Sequence, residues 1–217
     1  MGVSRIMGAE TEYGVFAPQK PSANPTVLSA FVVNTYDTLF KQELAAQVEA
    51  QWEYSSETPL DDARGFSVAR QDAHRSQLTH ESKVLTSEDI AAEALSQAGH
   101  FAERIDWDAV TMNSILPNGA RFYVDHAHPE YSSPETSNPR DCVLWDAAGD
   151  YIAARTVATI EGVAATEQSA MPVVNLYKNN TDGKGQSYGS HENYLLPRDI
   201  HFEALTQALL PFFATRQ

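Results

Sequence analysis

Between Arg121 and Glu135 the chain reads RFYVDHAHPEYSSPE, which puts one guanidinium, two phenols, two imidazoles and three carboxylates within fifteen residues. Phe122 and Val124 share one parity; Arg121, Tyr123 and Asp125 share the other. Successive strand side chains point to opposite faces. A strand over 121–125 can therefore rest its apolar face on a core and present the guanidinium, a phenol and a carboxylate together on the other face. Beyond Asp125, His126, His128, Glu130 and Glu135 read as a polar loop stiffened by Pro129 and Pro134. Folding alone does not demand such a density of proton-transfer and cation-binding groups, so the stretch reads as a reaction site.

Two other stretches carry comparable chemistry. Glu10 and Glu12 lie two apart in a predicted strand, Ser4–Phe16, and share a face. A Glu-x-Glu can hold or flank divalent cations, since hard cations take oxygen ligands; it also suits an ordinary solvated strand face. Val173–Tyr177 is a strand by residue type and runs into KNNTDGKGQSYGSHENYLL. Its glycines, with Lys178 and Lys184, could offer backbone N–H groups and ammonium charge to phosphates, although the P-loop spacing is absent. His191 and Asn193 share a face just beyond. His191 is a metal ligand or a hydrogen-bonded structural histidine.

Several elements must position these groups. Asn24-Pro25 is an N-cap and first-turn pair for a helix to about Phe40, with Leu28, Phe31, Val32, Thr35 and Leu39 on its core face. Residues 41–110 are weakly patterned and read as a linker or, within a compact domain, a functional loop region, with a short helix from Ser87 to about Phe101. Pro117-Asn118-Gly119 is a turn that delivers the chain into 121–125. Asn138-Pro139 starts a second helix, to about Glu161, with Leu144, Trp145, Ala148, Ile152 and Ala153 as its apolar positions. Cys142 in its first turn reads as inert, because Asp141 beside it raises the thiol pKa. Pro197–Gln217 is largely helical, with Phe202, Leu205, Leu209 and Phe212 on one face, and the chain stops inside that pattern.

Composition removes several function classes. The formal net charge of −14 argues against nonspecific nucleic-acid binding, which needs a basic surface. A single cysteine, Cys142, excludes an intramolecular disulfide framework and suits a reducing cytoplasm. No apolar run approaches the ~20 residues of a membrane span, and the N-terminus lacks a signal-peptide core. Two classes remain. One is a metal- and nucleotide-dependent enzyme using Glu10, Glu12, Tyr123, Asp125, Glu130 and His191. The other is a cation-stabilised binding module without turnover.

RIMGAETEYG, ARFYVDHAHPEYSSPE and LYKNNTDGKGQSYGSHENYL, in that order, resemble the family of enzymes that act on Pup, the prokaryotic ubiquitin-like protein. The family has two sister types, a Pup ligase and a Pup deamidase/depupylase. DHAHPEYSSPE and WEYSSETPLDDARGF look like the second type. The resemblance implies an α+β, glutamine-synthetase-like fold, with a curved, mainly antiparallel sheet packed with helices. Residues 1–217 would form the N-terminal part of one catalytic domain, with a mobile loop at about 41–110. Family members are longer, so further metal and nucleotide contacts would lie elsewhere.

The resemblance also implies roles. Glu10, Tyr123, Glu130 and His191 would bind magnesium. Asp125 would be the catalytic aspartate. Arg121, Ser133 and Asn193 would meet ATP or ADP, and Glu12 would be a metal ligand or its neighbour. The implied reaction deamidates the C-terminal Gln of Pup to Glu and cleaves the isopeptide bond joining Pup to lysine. Asp125 would act as nucleophile or general base. The implied partners are Pup and pupylated proteins, with a link to the bacterial proteasome and neither nucleic acid nor membrane. The runner-up activities are Pup ligation through a γ-glutamyl phosphate and Pup binding without catalysis.

Overall fold

A computed structural model describes residues 6–41, 112–166, 172–178, 188–197 and 199–215. The chain divides into two compact units: Met1–Gln51 with Val84–Tyr194, and Trp52–Lys83 with Leu195–Gln217. The segments expected to be loop and short helix between 41 and 110, and most of the glycine-rich stretch after Lys178, lie outside the described residues.

The first unit is α+β. Its main sheet contains β1 (Met7–Glu12), β3 (Asn113–Ile115), β4 (Arg121–Asp125), β5 (His128–Ser132) and β7 (Ser190–Tyr194). The order is β3-β4-β5-β1-β7 and each adjacent pair is antiparallel. A second, two-stranded sheet pairs β2 (Gly14–Phe16) with β6 (Asn175–Tyr177). Helix α1 (Pro25–Thr35), prolonged by a π turn over Tyr36–Phe40, packs on β4 and β5, while α2 (Pro139–Ala164) packs on β1.

Local chemistry explains why these elements begin where they do. Asn24 Oδ1 accepts from Thr26 N and Val27 N, with Pro25 in the first turn. Asn138 Oδ1 accepts from Asp141 N, again followed by proline. Both pairs satisfy N–H groups that a helix start would otherwise leave unpaired. Gly119 takes φ +85° in the turn between β3 and β4, a conformation that costs glycine little. The alternation predicted for 121–125 holds: Phe122 is fully buried, and Val124 packs on the core.

The sheet divides its two faces by parity. Phe122, Tyr131 and Thr11 face the helices. Tyr131 lies in the hydrophobic cluster with Tyr36, Phe122 and Ile160, and Thr11 Oγ1 donates to Asp146 on α2. The opposite face carries the polar residues considered below. Burial of the apolar face, at about 25 cal/mol per Å², anchors both.

The structure corrects four expectations. The predicted strand Ser4–Phe16 breaks at Tyr13. Tyr13 is buried, its N–H bonds Pro129 O, and the chain leaves for the second sheet. The polar loop after Asp125 is instead a two-residue turn, with His126 at φ +53°, followed by β5 at the centre of the sheet. Leu39 is exposed, because the face that α1 buries gives way to a π turn. Leu144 is exposed because the buried positions of α2 begin only at Gly149. In the second unit, helix α3 (Phe202–Thr215) forms as expected but has no buried residue. Among the described residues, no helix is long and apolar enough to cross a membrane.

Gly149 on α2 lies against the Tyr131 ring, and a Cβ there would sit 2.4 Å from Tyr131 Cδ1. Overpacking of this kind costs about 1–3 kcal/mol, against up to about 1 kcal/mol regained in helix propensity. Gly149→Ala is therefore expected to lower the urea unfolding midpoint. An unchanged or raised midpoint would show that the ring can swing aside.

Candidate functional site

Strand register gathers the polar side chains. Arg121 pairs with Ser132, Tyr123 with Glu130, and Asp125 with His128. Glu12 pairs with Glu130, and Glu10 with both Ser132 and His191. Spacing by two along each strand, on even-numbered residues of β1 and β5 and odd-numbered residues of β4 and β7, places all of these on the face away from the helices.

Ser132 joins two predicted ligands, since its Oγ donates to Glu10 Oε1 at 3.0 Å and lies 3.4 Å from Tyr123 Oη. Glu130 lies directly opposite Tyr123 on the neighbouring strand. Burial, then the Glu130 carboxylate, push that phenol upward. Arg121 sits over the Tyr123 ring, 4.0 Å from its centroid, and its Nε donates to Asn113 Oδ1 at 2.7 Å. The guanidinium is thus stacked and oriented from beneath.

Three carboxylates converge beside this group. One oxygen from each of Glu12, Asp125 and Glu130 lies within 4.8 Å of the others. Their surroundings differ. Glu12 Oε2 accepts from Gly189 N at 2.6 Å and lies 3.4 Å from His128 Nδ1, while Oε1 is 3.6 Å from His191 Nε2. These contacts, His128 first, outweigh burial and hold Glu12 down at about 2. Glu130 is only 2 % exposed, and its Oε2 has no hydrogen-bond partner. Burial foremost, then Asp125 and Glu10, push its carboxyl up to about 8. Asp125 is more open, with 37 % of its side chain exposed and His126 Nδ1 at 2.9 Å. Ser29 on α1 donates to Ala127 O at 2.7 Å and so pins the turn that carries Asp125.

Clustered oxygens with one buried oxygen left unpartnered suit a hard divalent cation, which favours carboxylate ligands and removes the repulsion among them. Of the predicted ligands, Glu10, Tyr123 and Glu130 converge. His191 faces Glu12, with 53 % of its side chain exposed. Of the residues predicted to meet nucleotide, Arg121 lies on this face and Asn193 is exposed opposite Gly8. The Ser133 hydroxyl accepts from Ala9 N and donates to Pro134 O, tying the end of β5 to β1. The Cys142 thiol is raised as expected, but by burial, Glu192 and Asp146 rather than Asp141. Sequence reasoning gave no part to His128 or Ser132 and left Glu12 between roles. The period-2 spacing of His128, Glu130 and Ser132 was the available signal.

Comparison with known proteins shows what the chain is similar to. A family model described as Pup-ligase protein matches residues 5–217. A depupylase of Acidothermus cellulolyticus is 46% identical over 216 residues, 98% of this chain and 36% of that protein. A Pup deamidase/depupylase of Mycolicibacterium smegmatis is 40% identical over 218 residues, 99% of this chain and again 36% of its own length. A Pup–protein ligase of Corynebacterium diphtheriae is 45% identical over 106 residues, 48% of this chain. A crystal structure of the complex between Pup and its ligase PafA matches with a TM-score of 0.54 and 25% identity, covering 98% of this chain and 30% of that one. The chain thus spans about a third of the length of the curated depupylases it matches.

The two shifted glutamates give opposite pH signatures in the absence of cations. Glu130 rises from the ordinary 4.5 to about 8. Its contribution is fully present below pH 4.5 and is lost as pH rises through about 8, because the unfolded chain releases that proton first. Glu12 falls to about 2, so its contribution is present above pH 4.5 and is lost as pH falls toward 2. In chelator, the urea midpoint should therefore decline between pH 5 and 8.5. Glu130→Gln should flatten that decline, and parallel curves for the two proteins would contradict the assignment.

Proposed function

The chain belongs to the Pup-ligase protein family, and we propose that it forms one wall of the active centre of a Pup deamidase and depupylase. The observation that carries this reading is the convergence of Glu12, Asp125 and Glu130 around the unpartnered Glu130 Oε2. Relatives named for depupylation match along 98–99% of the chain, while the corynebacterial ligase matches along 48%, which favours hydrolysis over ligation. The reaction is amide hydrolysis at a glutamyl γ-carbonyl. It releases ammonia from the C-terminal Gln of Pup, or a lysine amine from a pupylated protein.

Glu12, Asp125 and Glu130 would hold magnesium, with Glu10, Tyr123 and His191 at its margin. Bound there, the ion would neutralise the carboxylates and polarise the substrate carbonyl. Asp125 stands at the turn end of the β4–β5 hairpin and would lie about 3 Å from the carbonyl carbon in a productive complex. As nucleophile, Asp125 forms a bond to that carbon while the C–N bond breaks; the departing nitrogen takes a proton from water, and the hydroxide so formed cleaves the acyl-aspartate, freeing the glutamyl carboxylate and Asp125. As general base, Asp125 takes the proton of a water that adds to the carbon and passes it to the departing nitrogen. Arg121, held by Asn113 and Tyr123, balances the oxyanion. Arg121, Ser133 and Asn193 would meet ATP or ADP, which would serve as a bound cofactor, since amide hydrolysis needs no energy input. The setting is the cytoplasm, upstream of a bacterial proteasome.

In the full-length protein, Asp125→Asn should reduce ammonia release from Pup ending in Gln by about 10²–10⁴-fold or more. Undiminished turnover would remove Asp125 from the chemistry. A wild-type protein that instead consumes ATP to join Pup to lysine, without releasing ammonia, would prove to be a ligase.

A further inference from the structure

His128 has no part in the reaction as described, yet it is built into the site more firmly than several of the ligands. Its backbone is fixed by pairing with Asp125, and only 18 % of its side chain is exposed. The Tyr188 ring stands edge-on to its imidazole, with centroids 4.7 Å apart. Tyr188 in turn occupies space that any side chain at residue 14 would fill: a Cβ on Gly14 would lie 2.9 Å from Tyr188 Cζ. The turn out of β1 therefore leaves room for the ring that steadies the imidazole plane.

The imidazole is aimed at Glu12. Nδ1 lies 3.4 Å from Oε2, the same oxygen that accepts from Gly189 N at 2.6 Å. An ionised carboxylate can only accept, so Gly189 N–H donates to it and His128 Nδ1 faces it as the nitrogen that carries a proton. On the other oxygen, His191 Nε2 lies 3.6 Å from Oε1. Gly189 cannot carry a side chain without displacing this arrangement, since a Cβ would meet His191 Nε2 at 2.4 Å and Glu12 Cδ at 3.1 Å. A glutamate has rotamer freedom to lose before it can bind a ligand, and donors that hold it in place beforehand lower that cost.

We propose that His128 is a positioning residue whose Nδ1–H, with the Gly189 N–H, fixes the Glu12 carboxylate in the orientation that completes the cation site with Asp125 and Glu130. This rests on the reading of those three carboxylates as a divalent-cation site. His191, on the outer side and more exposed, contributes less to that orientation.

Mn²⁺ binding to the full-length protein, followed by the loss of its free-ion spin-resonance signal, tests the assignment. Removal of a group that orients a ligand commonly costs 10–100-fold in metal affinity, so His128→Ala should weaken Mn²⁺ by about that factor. His128→Asn keeps an N–H donor near the Nδ1 position and should restore most of the affinity. His128→Gln, whose amide reaches the Nε2 position, should not. Urea midpoints show whether each variant folds; if the alanine variant does not, the Asn–Gln contrast alone decides. Unchanged affinity in His128→Ala, or equal affinity in folded Asn and Gln variants, overturns the role of His128 while leaving the cation site standing. A wild-type protein that binds no Mn²⁺ overturns the cation site, and the proposal with it.

Discussion

Like charges repel, and this site brings three carboxylates within 4.8 Å of one another. The neighbourhood makes that tolerable by treating each one differently. Glu12 is kept ionised by donors from His128 and Gly189. Glu130 is buried deeply enough to retain its proton to about pH 8. Asp125 stays partly in water at the tip of a hairpin. Three like groups thus stand in three unlike settings: one held by donors, one buried and one partly in water.

The cost of holding such a group together is met on the other side of the same strands. Tyr131 follows Glu130 directly and is buried against α2, and Phe122 precedes Tyr123 and is buried among Tyr36 and its neighbours. Each polar residue on β4 and β5 is therefore flanked by residues that anchor its strand. Core and site share one backbone and alternate along it.

That alternation was legible in Arg121–Asp125, where apolar and polar residues take turns. The starts of both helices were legible as well, because Asn-Pro capping acts within a single turn. Strand β5 was not. His128, Pro129, Glu130 and Ser132 have a loop composition, and only two flanking strands make that stretch extended. The break at Tyr13 depends on its buried ring, on the Pro129 carbonyl, and on Tyr188 lying over Gly14. The part played by Glu12 depends on residues 128 and 189, far along the chain. Local patterns disclose local structure; a partner more than a hundred residues away leaves no periodic trace.

The antiparallel register between β4 and β5 has a consequence for how this molecule can change. Replacing one side chain alters one position, but gaining or losing a single codon inside β5 would move everything beyond it to the wrong face. Glu130 would enter the greasy interior as Tyr131 emerged onto the polar face. Viable length variation must therefore fall in turns or arrive two residues at a time. The spacing from His128 to Ser132 is consequently a more rigid inheritance than the identity of most residues within it.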